Sequence, residues 1–130
     1  MVWWNFLKTK TKNNTPTFRT AFKKNFGEYL TDSYGRALYC NTGDNIKTMH
    51  DDIEGIRSDF HLGIWQGFYK DKLNIQAPFK KEDFCGVVRP NGQKQIAYKN
   101  YPIYYYANDL EPRDTNGEGI NNQWFLVKMN

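Results

Sequence analysis

The sequence has little of what usually announces chemistry. It holds two cysteines and two histidines in 130 residues, and no CxxC, HExxH or GxSxG segment. Zinc and redox motifs at recognised spacing are therefore missing, as is the elbow that presents a nucleophilic serine. Paired carboxylates for glycoside chemistry need a cleft between them, which a sequence does not display, so no enzyme is expected. No hydrophobic run approaches the roughly 20 residues that a membrane helix requires. Met1 to Leu7 is apolar but very short, contains Asn5 and has its lysines on the wrong side. It does not read as a signal peptide, and an exported protein is expected here in trimmed or mature form.

Acids are absent from residues 1 to 27, where Lys8, Lys10, Lys12, Arg19, Lys23 and Lys24 lie. The net charge of +4 is thus a property of this arm. Such an arm suits phosphate or an anionic membrane surface, or serves simply as a solubilising linker. Nucleic acid is not expected as a partner, because the bases do not interleave with the aromatics.

Aliphatics are sparse, whereas Phe, Trp and Tyr make up 17% of the chain. Each Tyr and Trp brings a polar handle that must reach water or a partner, which favours thin β layers over a helical bundle. The expectation is an all-β, β-dominated fold. At this length it is one domain able to bury a core of its own.

Strands are expected at Glu28–Thr31 and Arg36–Cys40, joined through Asp32-Ser33-Tyr34-Gly35, with Gly35 where a turn asks for positive φ. Phe84–Arg89 and Gln93–Tyr98 flank Pro90-Asn91-Gly92, which carries the strongest short hairpin dipeptide. Lys99-Asn100 turns again into a strand over Tyr101–Ala107. Residues 17–26 show no clean period, and residues 45–60 read as loop with a short helix.

Two units emerge. Each has a hairpin ending in a tyrosine, an aspartate five residues later, a loop, and a strand led by tryptophan. These are Tyr39, Asp44 and Trp65 in the first unit and Tyr104, Asp109 and Trp124 in the second. The division is a basic arm over residues 1–25 and one compact antiparallel β domain over 26–130. Within it, repeat one spans about 26–83 and repeat two about 84–130, with long polar loops. The N-terminal Val-Trp-Trp-Asn-Phe-Leu-Lys is similar to the C-terminal Gln-Trp-Phe-Leu-Val-Lys. It reads as the closing strand of a preceding repeat in a longer array, whose neighbouring repeats would be its partners.

Tyr104-Tyr105-Tyr106-Ala107-Asn108-Asp109 fits the Y-x-[FWY]-x-x-D motif of the bacterial secreted-repeat lipoproteins of unknown function, which usually occur as tandem pairs. The chain resembles this family from about Phe26 to Lys128. Arg89 to Gln95 is similar to its R-x-[DN]-G-x-x-Q, and Tyr98 to Tyr104 to its Y-x-G-x-P-L-Y, with Asn100 at the glycine. Asp114 to Gly119 followed by Trp124 is similar to its G-D-T-x-G-x-G…W tail. The first half departs: Asn41 replaces the second aromatic, and Arg57 and His61 stand at a cysteine pair common in the family. A redox or metal role of that pair does not carry over. The resemblance implies an all-β fold and an extracytoplasmic location (periplasmic, outer-membrane-associated or secreted), often with a lipid anchor. It implies no known reaction.

Four constellations remain. Asp109, Glu111, Asp114, Asn116 and Glu118 are closely spaced oxygen donors of the kind Ca²⁺ takes. They lack the final acid of an EF-hand, Phe125 standing at that position, and solvated Asx turns are the alternative. His50 with Asp51 and Asp52, and Asp59 with His61, could offer zinc or copper ligands or be ordinary surface histidines. Cys40 and Cys85 are either buried free thiols or one disulfide, which would contribute about 4 kcal/mol in the chain-entropy model. Exposed aromatics could bind a carbohydrate by stacking; Tyr105, pointing opposite to Tyr104 and Tyr106, is the candidate unless it covers the second face of its sheet. The leading expectation is a non-catalytic, exported module that binds or scaffolds at the cell envelope, its partner an envelope protein or a glycan. A Ca²⁺ protein using the Asp109–Glu118 loop is the alternative.

Overall fold

A computed structural model describes residues 14–46, 63–89 and 91–129. Nine short strands make up the described fold: β1 (Phe18–Lys23), β2 (Gly27–Asp32), β3 (Tyr39–Asn41), β4 (Trp65–Gly67), β5 (Phe84–Val88), β6 (Lys94–Tyr98), β7 (Tyr101–Pro102), β8 (Tyr104–Tyr106) and β9 (Trp124–Leu126). They form a β1–β2 hairpin, a four-stranded sheet in the order β4-β8-β3-β9, and a three-stranded sheet in the order β5-β6-β7. Every pairing is antiparallel. The described helical segments are 3₁₀ turns of three residues, and no helix among the described residues is long and apolar enough to cross a membrane. The β-dominated expectation holds.

The four-stranded sheet joins the two repeats. Tyr39 of β3 pairs with Tyr104 of β8 at its centre. Each tryptophan-led strand then pairs with the other repeat. β4 lies along β8 with Trp65 opposite Tyr106 and Gly67 opposite Tyr104. β9 lies along β3 with Trp124 opposite Asn41 and Leu126 opposite Tyr39. The pattern is two-fold symmetric about the Tyr39–Tyr104 step. Strands of three residues cannot stand alone, and the exchange brings Trp65 and Trp124 face to face, with centroids 3.9 Å apart and planes 2° from parallel.

Beneath the sheet the symmetry repeats in the backbone. Leu30 N–H donates to the Val127 carbonyl (2.8 Å), Val127 N–H to Leu38 (3.1 Å), and Leu38 N–H back to Leu30 (3.1 Å). In the other half Ile96 donates to Phe68 (2.8 Å), Phe68 to Ile103 (2.9 Å), and Ile103 to Ile96 (3.0 Å). Each closed ring of three bonds satisfies backbone groups that have no access to water. All six side chains lie in one apolar core with Phe18, Phe79 and Tyr98. A second core, on the Tyr39–Tyr104 face of the sheet, holds Tyr29, Ala37, Trp65, Tyr106, Trp124 and Leu126.

Three local expectations change. Residues 17–26 include β1, fully paired with β2, and Phe18 stacks on Phe84 at 4.6 Å. The edge drawn at residues 25 and 26 therefore falls inside the β1–β2 hairpin. Residues 28–40 are not a simple hairpin: β2 meets the returning chain at Thr31–Ala37, and β3 then leaves for the four-stranded sheet. Tyr101–Ala107 likewise splits into β7 and β8. Pro102 has no N–H to extend a ladder, and Ile103 is taken up by its three-bond ring. The turns before them fold as expected. Gly35 has φ +89°, and Lys99 and Asn100 have φ +48° and +75°, the geometry of a two-residue I′ connection. Asn enters that region more readily than most residues, which suits it to the second position of this turn.

Candidate functional site

The motif residues build two buried locks. Tyr39 donates its hydroxyl proton to Asp109 Oδ2 (2.6 Å) and accepts from Gly117 N–H (3.1 Å). Asp109 Oδ1 accepts from Asn116 N–H (2.8 Å). In the other direction Tyr104 donates to Asp44 and accepts from the Arg89 guanidinium. Arg89 is held by Gln95 Oε1 (2.7 Å), whose amide donates to the Ile103 carbonyl (2.8 Å). Tyr39 and Tyr104 are fully buried, and Asp44, Asp109, Arg89 and Gln95 are each at most 3% exposed. Burial first, and the adjacent aspartate with it, pushes both phenol pKa values far above the usual range. Each tyrosine thus answers the aspartate of the other repeat. Arg89 and Gln95 were visible as the ends of a motif, but their role needed the fold.

Of the oxygen donors of the 109–118 loop, Asp109, Asp114 and Glu118 point into the protein or to its own backbone. Asp114 Oδ2 accepts from Leu110 N–H (2.9 Å) and Glu111 N–H (3.1 Å). Glu118 accepts from Leu126 N–H (2.7 Å) and pairs with Lys128 (2.8 Å), and Asn116 donates to the Asn108 carbonyl (3.3 Å). Glu111 is exposed. Among the described residues no three His, Cys, Asp or Glu side chains gather as a metal site. His50, His61, Asp51, Asp52 and Asp59 lie outside the described residues.

Cys40 and Cys85 are both free; the bridge is not formed. Cys40 is half-buried and its thiol pKa is pushed up to about 11, by burial first and then by the Glu118 carboxylate. Cys85 is exposed.

Tyr34, Tyr69 and Tyr105, the first two exposed, gather elsewhere. Tyr105 faces away from the locks, packs on Phe68 (5.7 Å) and donates to Asp32 Oδ2 (2.7 Å). Asp32 Oδ1 accepts from Tyr34 N–H and Arg36 N–H, both at 2.9 Å, fixing the turn that holds the Tyr34 ring 81% exposed. Tyr105 covers the second sheet face as the alternative held, and it also walls a groove. A hollow of about 480 Å³ runs between Asp32, Tyr34, Arg36, Ile64, Gln66 and Tyr105. Gln66 is shared with a second, of about 390 Å³, walled by Tyr69, Arg89, Gln93 and Lys94. A third, of about 170 Å³, links Tyr34 and Tyr105 to Tyr69 and Lys70. The three adjoin through shared wall residues and make up the groove beside the edge strand β4. Sequence reasoning found Tyr105 but not Tyr34, Tyr69, Arg36 or Lys94; the Asp-Ser-Tyr-Gly turn was the available signal for Tyr34. At the two-fold-related place Cys40 replaces Tyr105, and a smaller cleft of about 210 Å³ lies among Tyr98, Lys99, Tyr101 and Lys128.

Residues 86–128 match a family described as a secreted repeat of unknown function. That span contains the second tyrosine motif, Arg89, Gln95 and the Trp124 strand. No curated protein and no solved structure matches the chain.

Proposed function

We propose that this protein is a non-catalytic, extracytoplasmic binding or scaffold module, a fused pair of repeats acting at the cell envelope. Its ligand face is the groove walled by Tyr34, Tyr69 and Tyr105. One observation carries the reading: the motif side chains are spent on buried locks, while three partly or largely open tyrosines line one hollow together and border two adjoining ones. A concave surface with aromatic walls and a few polar groups is the usual form of a binding site. The family description supports an extracytoplasmic setting, and a glycan or an envelope protein is the partner class.

Thermal unfolding against a panel of glycans, envelope extracts and Ca²⁺ tests this. A ligand at about 100 times its Kd adds about 2.7 kcal/mol to the folded state, a readily measured rise in Tm. The gain is expected to disappear in Tyr34→Ala and Tyr69→Ala, neither of which removes a core side chain. A Ca²⁺-dependent rise abolished by Asp114→Asn would favour the cation reading instead. Substrate turnover abolished by changing one carboxylate would overturn the non-catalytic one.

A further inference from the structure

We infer that the groove takes an acidic oligosaccharide, its sugar rings lying on Tyr34 and Tyr69 and its anionic substituents meeting Arg36 and Lys94. This rests on the groove being the ligand face.

The cations are the second observation. Among the described residues neither Arg36 nor Lys94 forms an ion pair with a carboxylate. Arg36 donates to the Asp109 carbonyl oxygen (2.5 Å) and lies 5.5 Å over the Tyr105 ring. Lys94 lies 5.9 Å over Tyr69. Arg36, Lys94 and Lys70 line the hollows against one carboxylate, Asp32, whose oxygens accept from Tyr105 and two backbone amides. In the two-fold-related cleft, by contrast, Lys128 is neutralised by Glu118. The groove therefore presents positive charge directly beside aromatic faces, and charge complementarity selects an anion.

The neutral lining selects a sugar. Gln66 and Gln93 bring amides that both donate and accept, as vicinal hydroxyls require. The exposed rings of Tyr34 and Tyr69, which line one hollow, offer flat apolar platforms for the C–H faces of pyranose rings. An acidic peptide would leave those platforms unused. The shared chemistry is a sugar ring bearing an anion, which a carboxylate or a phosphate equally supplies.

The test is NMR titration of the full chain with four probes: an oligogalacturonate, an oligosaccharide phosphate of similar length, a neutral oligosaccharide, and an oligoglutamate peptide. One or both anionic sugars are expected to shift the Tyr34 and Tyr69 signals, the choice identifying the anion. Binding should weaken about tenfold in Lys94→Gln, as for loss of a charge-assisted bond. It should also weaken between about 50 and 300 mM salt. Lys94 is exposed, so this variant keeps the test open if Arg36→Gln fails to fold. Equal binding of the neutral sugar at the groove would overturn the acidic ligand, and preference for the peptide there would overturn the sugar; both leave the groove as the ligand face. Binding elsewhere, or none tighter than about 1 mM by any probe, would overturn this inference. Whether another ligand from the wider panel needs Tyr34 and Tyr69 then decides separately for the groove.

Discussion

Tyr39 and Tyr104 face each other across β3 and β8, and each sends its hydroxyl to the aspartate that follows the other by five residues. In this chain the tyrosine–aspartate pairs thereby join the two repeats. A tyrosine and an aspartate at that spacing cannot satisfy each other within one strand and turn here, but two such units, placed head to head, satisfy both.

Breaking one lock should be costly in proportion to what it strands. Tyr39→Phe leaves the buried Asp109 Oδ2 and the Gly117 N–H without their partner. The expected loss is about 1–3 kcal/mol, read from urea unfolding. Combined with Asp109→Ala it should show a coupling of about 0.5–3 kcal/mol. A pair of losses that simply add would mean the bond does not matter.

Gly117 is a glycine because of space. A Cβ there would sit 2.6 Å from Trp65 Cη2 and 2.9 Å from Tyr39 Cε2, and Trp65 is clamped between Trp124 and Tyr106. Gly117→Ala should therefore cost about 1–3 kcal/mol. Gly86→Ala, with open space around it, should stay within about 0.5 kcal/mol of the parent as a surface change.

Stability should fall in alkali. Tyr39, Tyr104 and Tyr105 have folded-state pKa values raised above the ordinary 10.0, chiefly by burial. Their stabilising effect is complete below the unfolded value. Above pH 10 the unfolded chain releases protons that the folded one retains, so stability declines as pH rises. Tyrosinate absorbance should show these three titrating together with unfolding. Smooth titration of Tyr39, Tyr104 and Tyr105 near pH 10 in a folded protein would contradict this.

The two thiols should react unequally. Cys85 is exposed, whereas Cys40 is half-buried with its pKa near 11, and the thiolate is the reactive form. Iodoacetamide at pH 8 should label Cys85 first and Cys40 only on unfolding, as peptide mass spectrometry will report. Equal rates would contradict the packing of Cys40.

What could be read from the chain beforehand divides along local and distant contacts. The β5–β6 hairpin was legible because its turn is self-contained: Gly92 N–H returns to the Arg89 carbonyl and Asn91 Oδ1 accepts from Gln93 N–H. Alternation also told that Tyr105 opposes Tyr104 and Tyr106. Alternation gives a face and never a partner, so nothing local revealed that β4 and β9 change places. The groove escaped for the same reason. Tyr34, Gln66 and Lys94 lie far apart in sequence, and only the strand exchange brings them to one edge.

The central claim, that the repeats are interlocked through exchanged strands, is tested most directly by chemical denaturation of a variant altered in one repeat. Asp109→Asn, followed by tryptophan fluorescence and by circular dichroism, should shift a single common transition for the entire body. Two separated transitions, with the first repeat unfolding as in the parent, would show that the halves stand independently and contradict the account.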